Sequence, residues 1–401
     1  MNIKIMPSKA SGEITAPPSK SMAHRALVFG ALSENSVIKN LAFSKDIEAT
    51  VNCLKALGTK VEINGNTATI GGLDIKNIPN NAVLDCFESG STLRFLLPLC
   101  MSCGKTVTLK GAKRLFERPL TVYENIAKEQ GITFIKTEDS VTVCGNLKGG
   151  EYRVEGNISS QFITGLLIAL PLISGNSKIT VTGNFESASY IDLTISVMNE
   201  FGLKIHRNDN VFEFCGNQNS VNTEYTVEGD CSNAAFLEAF NYLGGNIKVN
   251  GLNENTLQGD SVYRWIFEGL KIGKKEFNLS DCPDLAPISF ALAAAFGGAV
   301  FTGTARLKIK ESDRAVAMQT ELKKFGINVL VEENKVIVEK GVLKTPDQIL
   351  CGHNDHRIVM ALSVLSSLVG GTISEAEAVS KSYPDFFQQI SSLGLDVNEI
   401  N

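Results

Sequence analysis

Residues 17–32 read PPSKSMAHRALVFGAL, a Pro-Pro pair and a short polar run followed by a strongly apolar segment. Serine is a favoured N-cap residue, so the pattern predicts a helix that begins near Ser19. The free amides and partial positive charge of a helix N-terminus attract anions, and Lys20 and Arg25 add full positive charges there. Two interpretations stay open for this stretch alone: an anion site that also uses Ser21, or a capped surface helix with two solvated cations.

The same pattern, small or polar residues followed by an apolar helix, recurs five more times along the chain. The further copies are SGSTLRFLLPL from residue 89, ISSQFITGLLIALPLI from 158, DCSNAAFLEAFNYL from 230, CPDLAPISFALAAAF from 282 and HNDHRIVMALSVLSSL from 353. Measured from Ser19 through these starting points, the intervals are 70, 69, 72, 52 and 71 residues. Such regular spacing indicates a repeated supersecondary unit.

Each repeat also contains a second helix with a charged face, and short β-branched segments lie beside the helices. An example is RPLTVYENIAKEQG, residues 118–131, which is followed by the segment ITFI. The pattern therefore predicts an α/β unit whose first helix, apolar nearly all round, is buried. Three such units can enclose their buried helices, so we expect two domains of three units each.

The boundary between the two domains is predicted near residues 226–233, between the third and fourth repeats. The residues before Pro17 are expected to supply a strand to the second half of the chain. One domain would then contain residues 1–16 and 229–401, and the other would contain residues 17–228. If the six helix starts face one cleft, they form an anion-binding region there without a net basic protein.

Composition limits the classes of function. The formal net charge of −5 over 401 residues argues against general binding of nucleic acid or anionic membranes. No apolar run has the length of a membrane span and the first residues lack a signal-peptide core, so a cytoplasmic protein is expected. The nine cysteines form no disulfide framework, and the CxxC pair of Cys100 and Cys103 lacks the further ligands of a zinc site. Nucleotide, zinc-protease and serine-hydrolase motifs are absent, so the sequence indicates no metal, nucleotide or nucleophilic serine.

Polar and charged residues gather at the predicted helix starts. They are Lys20, Ser21, Arg25, Gly90, Ser91, Arg94, Arg118, Ser159, Ser160, Gln161, Asp284, His356 and Arg357, with Lys381 in the motif KSYPD. Taken together, these cations and carboxylates favour a pair of substrates with several phosphate or carboxylate groups, and a proton-transfer step.

The densest group of charges is RLKIKESDR, in which alternation predicts an extended run with Arg306, Lys308 and Lys310 on one face, followed by a helix. Ordinary interpretations stay open for each motif alone. The run fits a strand edge guarded by lysines, Asp284 fits an N-cap, and His356 fits a capping role.

The motifs PPSKSMAHR, ESGSTLRFL, RLFERPL, ISSQF, SASYID, CPDLAP, RLKIKESDR, NDHR and KSYPDFF follow one another in an order and spacing that resemble the 3-phosphoshikimate 1-carboxyvinyltransferase family, also called EPSP synthases. The resemblance covers nearly the whole chain. It implies an α/β fold of two similar globular domains, each of three repeated βαβαββ units with buried helices, in an inside-out barrel. It also implies an active site in the cleft between the domains.

The reaction that the resemblance implies is transfer of the enolpyruvyl group of phosphoenolpyruvate to the 5-hydroxyl of shikimate 3-phosphate, a step of aromatic amino-acid biosynthesis that releases phosphate. Protonation of the enol carbon builds positive charge at the adjacent C2, which carboxylates stabilise while cations hold the departing phosphate. The phosphorus is not attacked, so no metal or other cofactor is expected. The expected partners are these two small anions, and the expected state is a monomer.

The resemblance also assigns site residues, motif by motif. Asp284 matches the carboxylate that accepts the hydroxyl proton, Glu311 the one associated with protonating the methylene carbon, and Lys20 is a third catalytic group. The residues matched to shikimate 3-phosphate are Lys20, Ser21, Arg25, Ser159, Ser160, Gln161, Ser187, Asp284, Arg306 and Lys310, with Tyr190 near the ring. The residues matched to phosphoenolpyruvate are Lys20, Gly90, Arg118, Gln161, Arg314, His356, Arg357 and Lys381.

Two positions depart from the family pattern. Glu88 stands where many members carry Asn, which puts a negative charge near the phosphoenolpyruvate pocket, and Arg306 stands where some members carry Asn. Two alternatives also stay open. A UDP-N-acetylglucosamine enolpyruvyl transferase usually carries a reactive Cys before the Arg-Pro motif, where this chain reads KGAKRLFERP. A non-catalytic module that binds sugar phosphates or RNA ends would not need Asp284 and Glu311.

Overall fold

The computed structural model describes residues 1–400, and the chain divides into two compact units. The discontinuous unit contains Met1–Pro17 and Gly229–Asn401, and the continuous unit contains Pro18–Glu228. The chain passes from one unit to the other after Pro17 and again after Glu228. The Pro-Pro pair therefore marks the point where the chain first passes from one unit to the other.

The α-helices of residues 1–400 are numbered in chain order. They are α1 (Lys20–Ala31), α2 (Lys45–Ala56), α3 (Gly90–Met101), α4 (Lys113–Glu117), α5 (Thr121–Gln130), α6 (Ser160–Ala169), α7 (Ala188–Glu200), α8 (Cys231–Tyr242), α9 (Tyr263–Lys271), α10 (Ala286–Ala295), α11 (Arg314–Lys324), α12 (His356–Val369) and α13 (Phe386–Ser392). None of these helices is both long enough and apolar enough to cross a membrane.

The β-strands of the same residues are numbered in the same way. They are β1 (Asn2–Ile5), β2 (Ser11–Thr15), β3 (Ser36–Lys39), β4 (Lys60–Asn64), β5 (Thr67–Gly71), β6 (Ala82–Asp85), β7 (Val107–Lys110), β8 (Thr133–Lys136), β9 (Ser140–Cys144), β10 (Glu151–Glu155), β11 (Ser177–Thr182), β12 (His206–Asn208), β13 (Val211–Phe214), β14 (Glu224–Thr226), β15 (Asn246–Asn250), β16 (Glu276–Asn278), β17 (Ala299–Thr302), β18 (Val329–Glu332), β19 (Lys335–Val338), β20 (Leu350–Cys351), β21 (Gly371–Ser374) and β22 (Val397–Ile400).

Five of the six sheets in residues 1–400 share one strand order. In each, a parallel pair of strands is followed by two antiparallel neighbours, as in β6-β7-β9-β8. In four of these sheets a helix connects the parallel strands, as such crossovers require, whereas β14 and β3 come from distant parts of the chain. In chain order this example reads β6, α3, β7, α5, β8, β9, with the short α4 between β7 and α5. This order is the βαβαββ repeat. The predicted repeat and fold class are confirmed.

At each chain crossing, a strand lies in one unit and the helix that follows it in the chain lies in the other. Strand β2 precedes α1 in the chain, but it pairs in parallel with β15 of the discontinuous unit, with Ile14 opposite Val249. Strand β14 precedes α8, but it pairs in parallel with β3 of the continuous unit, with Tyr225 opposite Ile38. Each unit is therefore completed by strand pairing between distant parts of the chain.

The first helix of each repeat is buried nearly all round, as its composition predicts. These central helices are α1, α3 and α6 in the continuous unit, and α8, α10 and α12 in the discontinuous unit. The second helix α5 instead buries one face, formed by Tyr123, Ile126 and Ala127. Each unit has its own apolar core, so the buried bodies of the central helices fix the positions of their N-termini.

The segment RLKIKESDR does not form the extended run that its alternation predicts. Ala305–Ile309 form a 3₁₀ turn in which Arg306 and Leu307 are buried while Lys308 is exposed. A 3₁₀ helix has three residues per turn, so side chains two residues apart diverge instead of sharing a face. Because Arg306 is buried while Lys308 is exposed, the expectation of three cations on one face is wrong.

Helices α3 and α6 pack together at Gly165. A Cβ atom on Gly165 would lie 2.2 Å from the carbonyl oxygen of Arg94 and 2.2 Å from the hydroxyl of Tyr123. The Tyr123 hydroxyl donates to that same carbonyl at 2.8 Å. The backbone of Arg94 and the hydrogen-bonded ring of Tyr123 cannot move aside for a Cβ atom as a flexible side chain could. The contact between α3 and α6 therefore requires glycine at position 165.

We expect Gly165→Ala to lower the free energy of unfolding by about 3 kcal/mol, because overpacking against backbone outweighs the gain in helix propensity. Gly30→Ala is the matched comparison, since Gly30 also lies in a central helix but its new Cβ would meet a methyl group of Ile70, at 2.9 Å. That side chain can move, so the loss should be smaller. Urea unfolding followed by circular dichroism measures both, and equal losses would contradict the packing argument.

Candidate active site

Three cationic side chains converge on the carboxylate of Asp284, which lies in a 3₁₀ turn directly before α10. Lys310 Nζ and Arg314 Nη1 donate to Oδ1 at 3.2 and 2.7 Å. Arg357 Nη2 donates to Oδ2 at 3.0 Å. Burial alone would raise the pKa of this carboxyl, but Arg357, Lys310 and Arg314 hold it well below its ordinary value. Asp284 is therefore an anion at neutral pH, and the sequence-predicted base lies among its predicted cations.

Arg314, the first residue of α11, connects Asp284 with a second carboxylate. Its Nε and Nη2 atoms donate to Asp355 at 2.9 and 3.3 Å, and both side chains are almost completely buried. Asp355 is the N-cap of α12 and also accepts from the backbone amide of Arg357 at 3.0 Å. Sequence reasoning missed Asp355, although it is the Asp of NDHR and precedes an apolar helix as an N-cap does.

Glu311 and His356 form a pair beside this cluster. Glu311 Oε2 lies 2.9 Å from His356 Nδ1, and the imidazole is almost completely buried. The carboxylate and the ring can therefore share a proton. Together with Asp355 they are the one group among residues 1–400 whose ligand atoms lie close enough to hold a metal ion. Protein groups already bind both carboxylates, since Asp355 forms an ion pair with Arg314 and Glu311 lies within hydrogen-bond distance of His356.

The two remaining predicted cations of the discontinuous unit contact backbone carbonyls near the cluster. The buried Lys381 Nζ donates to the carbonyl of Asn354 at 2.5 Å, two residues before His356. Arg306 is also buried and donates to the carbonyl of Ser280, four residues before Asp284. Lys381 therefore lies beside the start of α12, and Arg306 beside the segment that leads to Asp284.

In the continuous unit, Lys20 lies at the start of α1 and pairs with Asp46 of α2. Its Nζ donates to Asp46 Oδ2 at 2.8 Å, and both side chains are mostly buried. Sequence reasoning missed Asp46, because an acidic residue in the first turn of a charged helix is an ordinary feature. The ion pair fixes the predicted catalytic Lys20 at the helix start.

Two of the three guanidinium nitrogens of Arg25 donate hydrogen bonds to residues of helix α7. Nε donates to Thr194 Oγ1 at 2.8 Å and Nη2 to the carbonyl of Tyr190 at 3.1 Å, while Nη1 donates to the carbonyl of Ser21 at 2.6 Å. Burial lowers the pKa of Arg25 to about 10, so it still carries its charge at neutral pH. Arg25 therefore brings Ser21 and Tyr190, both predicted for the same substrate, to one place.

The carboxamide of Gln161 is held at both ends. Arg94 Nη1 donates to its Oε1 at 2.7 Å, and its Nε2 donates to Ser91 Oγ at 3.0 Å. Gly90 lies against the guanidinium of Arg118, where a Cβ would come within 2.6 Å of Nη1. The starts of α3 and α6 thus meet, and Gly90 is needed for the approach of Arg118. Arg94, visible at the helix start but given no role from sequence, orients Gln161.

The predicted serines lie at helix starts in the continuous unit. Ser159 is the N-cap of α6 and accepts from the amide of Gln161 at 3.3 Å, and Ser160 is the first residue of that helix. Ser187 precedes α7 with a left-handed φ of 58° and is buried. A non-glycine residue adopts this conformation only when the surrounding structure requires it, which makes Ser187 a precisely directed hydroxyl.

The CxxC pair lies apart from these groups. Cys100 and Cys103 are both buried, and burial raises the pKa of each thiol. Metal binding and redox chemistry need the thiolate, which these surroundings disfavour. The two residues therefore fill the core, as expected from the sequence.

Comparison with known proteins accounts for nearly the whole chain. The family model described as EPSP synthase (3-phosphoshikimate 1-carboxyvinyltransferase) matches residues 5–390. The protein named 3-phosphoshikimate 1-carboxyvinyltransferase from Clostridium novyi (strain NT) is 40% identical, with 99% of this chain and 98% of the relative covered. That of Clostridium kluyveri is 42% identical at the same coverage.

The fold is also that of a solved structure. EPSP synthase from Acinetobacter baumannii superposes with a TM-score of 0.80 at 23% identity, with 99% of this chain and 100% of that chain covered. This likeness supports the two-domain repeat fold. The extent of the family match and the identity to the clostridial proteins are far above what a shared fold alone would give. The chain belongs to the EPSP synthase (3-phosphoshikimate 1-carboxyvinyltransferase) family.

Proposed function

We propose that this chain transfers the enolpyruvyl group of phosphoenolpyruvate to the 5-hydroxyl of shikimate 3-phosphate, giving 5-enolpyruvylshikimate 3-phosphate and phosphate. The observation that carries the proposal is the cluster around Asp284. It combines an ionised base, held by Lys310, Arg314 and Arg357, with a Glu311 and His356 pair that can deliver a proton. Addition to an enol phosphate needs a base, an acid and cations that hold the departing phosphate, and this cluster combines all three.

The two proton-transfer groups have separate roles in an addition and an elimination. Glu311, paired with His356, protonates the methylene carbon, and the hydroxyl oxygen attacks the adjacent C2 while Asp284 accepts its proton. In the second step Glu311 takes a proton back from the methyl group, the bond from C2 to the phosphate oxygen breaks, and the double bond returns. The hydroxyl proton leaves with the phosphate or to solvent, so atoms and charges balance without a metal or an oxidant.

The cations have a second effect on Asp284. While no substrate is bound, Lys310, Arg314 and Arg357 lower the pKa of Asp284 and so make it a weaker base. Phosphate and carboxylate groups of the substrates draw on the same three cations, so the pKa of Asp284 should rise as the site fills. The base is then strongest when both substrates are present.

Each substrate is assigned residues from both units. We propose that Arg314, His356, Arg357 and Lys381 bind phosphoenolpyruvate together with Lys20, Gly90, Arg118 and Gln161. We propose that Lys20, Ser21, Arg25, Ser159, Ser160, Gln161 and Ser187 bind shikimate 3-phosphate, with Asp284, Arg306 and Lys310. The reaction requires both sets to act on the same pair of substrates. A monomer in the cytoplasm is the proposed state, because no assigned residue needs a second copy.

We expect Asp284→Asn and Glu311→Gln each to lower kcat by roughly 10²- to 10⁴-fold, since each removes a proton-transfer group while keeping side-chain size. Phosphate release from phosphoenolpyruvate with shikimate 3-phosphate measures this loss. Calorimetric titration with shikimate 3-phosphate should show binding retained in Glu311→Gln. Asp313→Asn is the matched control, because Asn also caps helix α11 and should leave turnover unchanged.

The same assay separates the proposal from its alternatives. Release of phosphate with UDP-N-acetylglucosamine and not with shikimate 3-phosphate would identify the related enolpyruvyl transferase. Binding of sugar phosphates or RNA ends without any phosphate release would identify a non-catalytic module. Either result overturns the proposed reaction.

A further carboxyl, Asp260, affects the charge of the cluster. It is 2% exposed and accepts a hydrogen bond from Ser232. Burial and the nearby Asp284 anion raise its pKa to about 6, although Arg357 opposes the shift. Asp260 therefore changes its charge just below neutral pH.

The native pKa of Asp260 lies above the unfolded value of about 3.9, so the native state binds the proton more strongly and gains stability as pH falls. Asp260→Asn lacks this gain. The stability of the variant relative to the wild type should therefore be higher at pH 8 than at pH 5, by roughly 1 kcal/mol. Urea unfolding at the two pH values measures the difference, and a difference that does not change with pH would contradict the assignment.

A further inference from the structure

The turn that leads into α12 has an unusual backbone. His353 and Asn354 have φ values of 50° and 46°, two consecutive non-glycine residues in the left-handed region. Each such residue costs free energy, so the turn persists only where its surroundings impose it. The next three residues are Asp355, His356 and Arg357, which contact Arg314, Glu311 and Asp284. The turn therefore sets the position of the charged start of α12.

Glu321 of α11 binds this turn through the side chain of His353 and the backbone amide of Cys351. Its side chain is completely buried. Oε2 accepts from the backbone amide of Cys351 at 2.9 Å, and Oε1 lies 2.9 Å from His353 Nε2. Lys324 Nζ donates to Oε2 at 2.8 Å and to the carbonyl of Ile349 at 2.9 Å. The buried carboxylate thus binds residues 351 and 353 directly, and its partner Lys324 binds residue 349.

Helix α11 holds the other end of the turn as well. Arg314 lies seven residues before Glu321, two helical turns away and on the same face. Arg314 binds Asp355 with two nitrogen atoms, while Glu321 binds Cys351 and His353. The turn is therefore held between an arginine and a glutamate of one rigid helix.

We propose that Glu321 is a positioning residue, which fixes the turn at His353 and thereby the placement of His356 and Arg357 for phosphoenolpyruvate. The assignment of the ligand rests on the proposed function. Glu321 contacts none of the residues assigned to a substrate, so it acts through His353 and the Cys351 amide.

The charge of Glu321 is maintained over the working pH range. Burial would raise its pKa, but hydrogen bonds from His353, Lys324 and the Cys351 amide lower it below the ordinary value. Removal of the charge leaves Lys324 and His353 facing a neutral group in a buried place, where unpaired polar groups are costly. The turn should then lose its imposed geometry, and α12 should start from a relaxed position.

The central test compares Glu321→Gln with Glu333→Gln, which makes the same chemical change on an exposed carboxylate of the same unit. We expect Glu321→Gln to raise the KM for phosphoenolpyruvate about tenfold, with the KM for shikimate 3-phosphate changed less than twofold and kcat less than threefold. Glu333→Gln should behave as the wild type. A general loss of stability would reduce the amount of active protein and kcat, but not one KM alone.

A second variant removes the same contact from the turn. His353→Asn removes the imidazole, while Asn tolerates a left-handed backbone better than most residues. It should raise the KM for phosphoenolpyruvate severalfold, and the double variant should be no worse than Glu321→Gln alone, because both changes break one connection. This variant tests the proposal even if Glu321→Gln does not fold.

A measurement without turnover separates this proposal from the proposed reaction. The chain has four histidines, so NMR spectra of histidine-labelled protein are simple to assign. Glu321→Gln should shift the ring signals of His356 and leave those of His24 in place. Unchanged His356 signals, or a KM for phosphoenolpyruvate equal to that of the wild type, overturn the positioning role. Absence of turnover in the wild type, with His356 shifted in the variant, overturns the reaction alone.

Discussion

The guanidinium of Arg314 is shared between two carboxylates, Asp284 and Asp355, and the arrangement of the discontinuous unit's site depends on it. Removing three charged groups from water is expensive, and the expense is offset only when geometry and hydrogen bonding are nearly complete. Here Arg314 donates to both partners, Asp355 also caps α12, and Asp284 has two further cations. The start of α12 and the turn before α10 are thus fixed relative to one another by charge.

The continuous unit orders its helix starts differently, mainly with hydroxyl groups. His24, Thr50, Thr92 and Ser89 form a chain of buried hydrogen bonds from α1 through α2 to α3, with lengths of 2.8, 2.6 and 2.7 Å. Neutral hydroxyls are cheaper to bury than charges, and each can donate and accept. This network leaves the cations of the unit available to orient polar side chains, as Arg94 does for Gln161.

Much of the fold was predictable because the spacing of apolar and polar residues along the chain indicates which faces of the helices and strands are buried. A 70-residue repeat, small polar residues before apolar helices and charged second helices predicted α/β units with buried central helices. The βαβαββ order within each unit was implied by the family resemblance. Alternation misled at RLKIKESDR, where a 3₁₀ turn buries the adjacent residues Arg306 and Leu307. A strand would direct neighbouring side chains to opposite faces, so the local pattern failed to show that a cation is buried beside an apolar residue.

The sequence by itself determined which residues stand at the helix starts, including Asp284, Glu311 and Arg314, because capping and helix composition are local properties. It did not determine which charges pair. Arg314 and Asp355 are 41 residues apart, and Asp284 and Arg357 are 73 apart, so only tertiary packing could bring them together. The same holds for Asp46 and Glu321, ordinary acidic residues in charged helices. Their roles arise because burial removes water and leaves each carboxylate only the partners that the fold supplies.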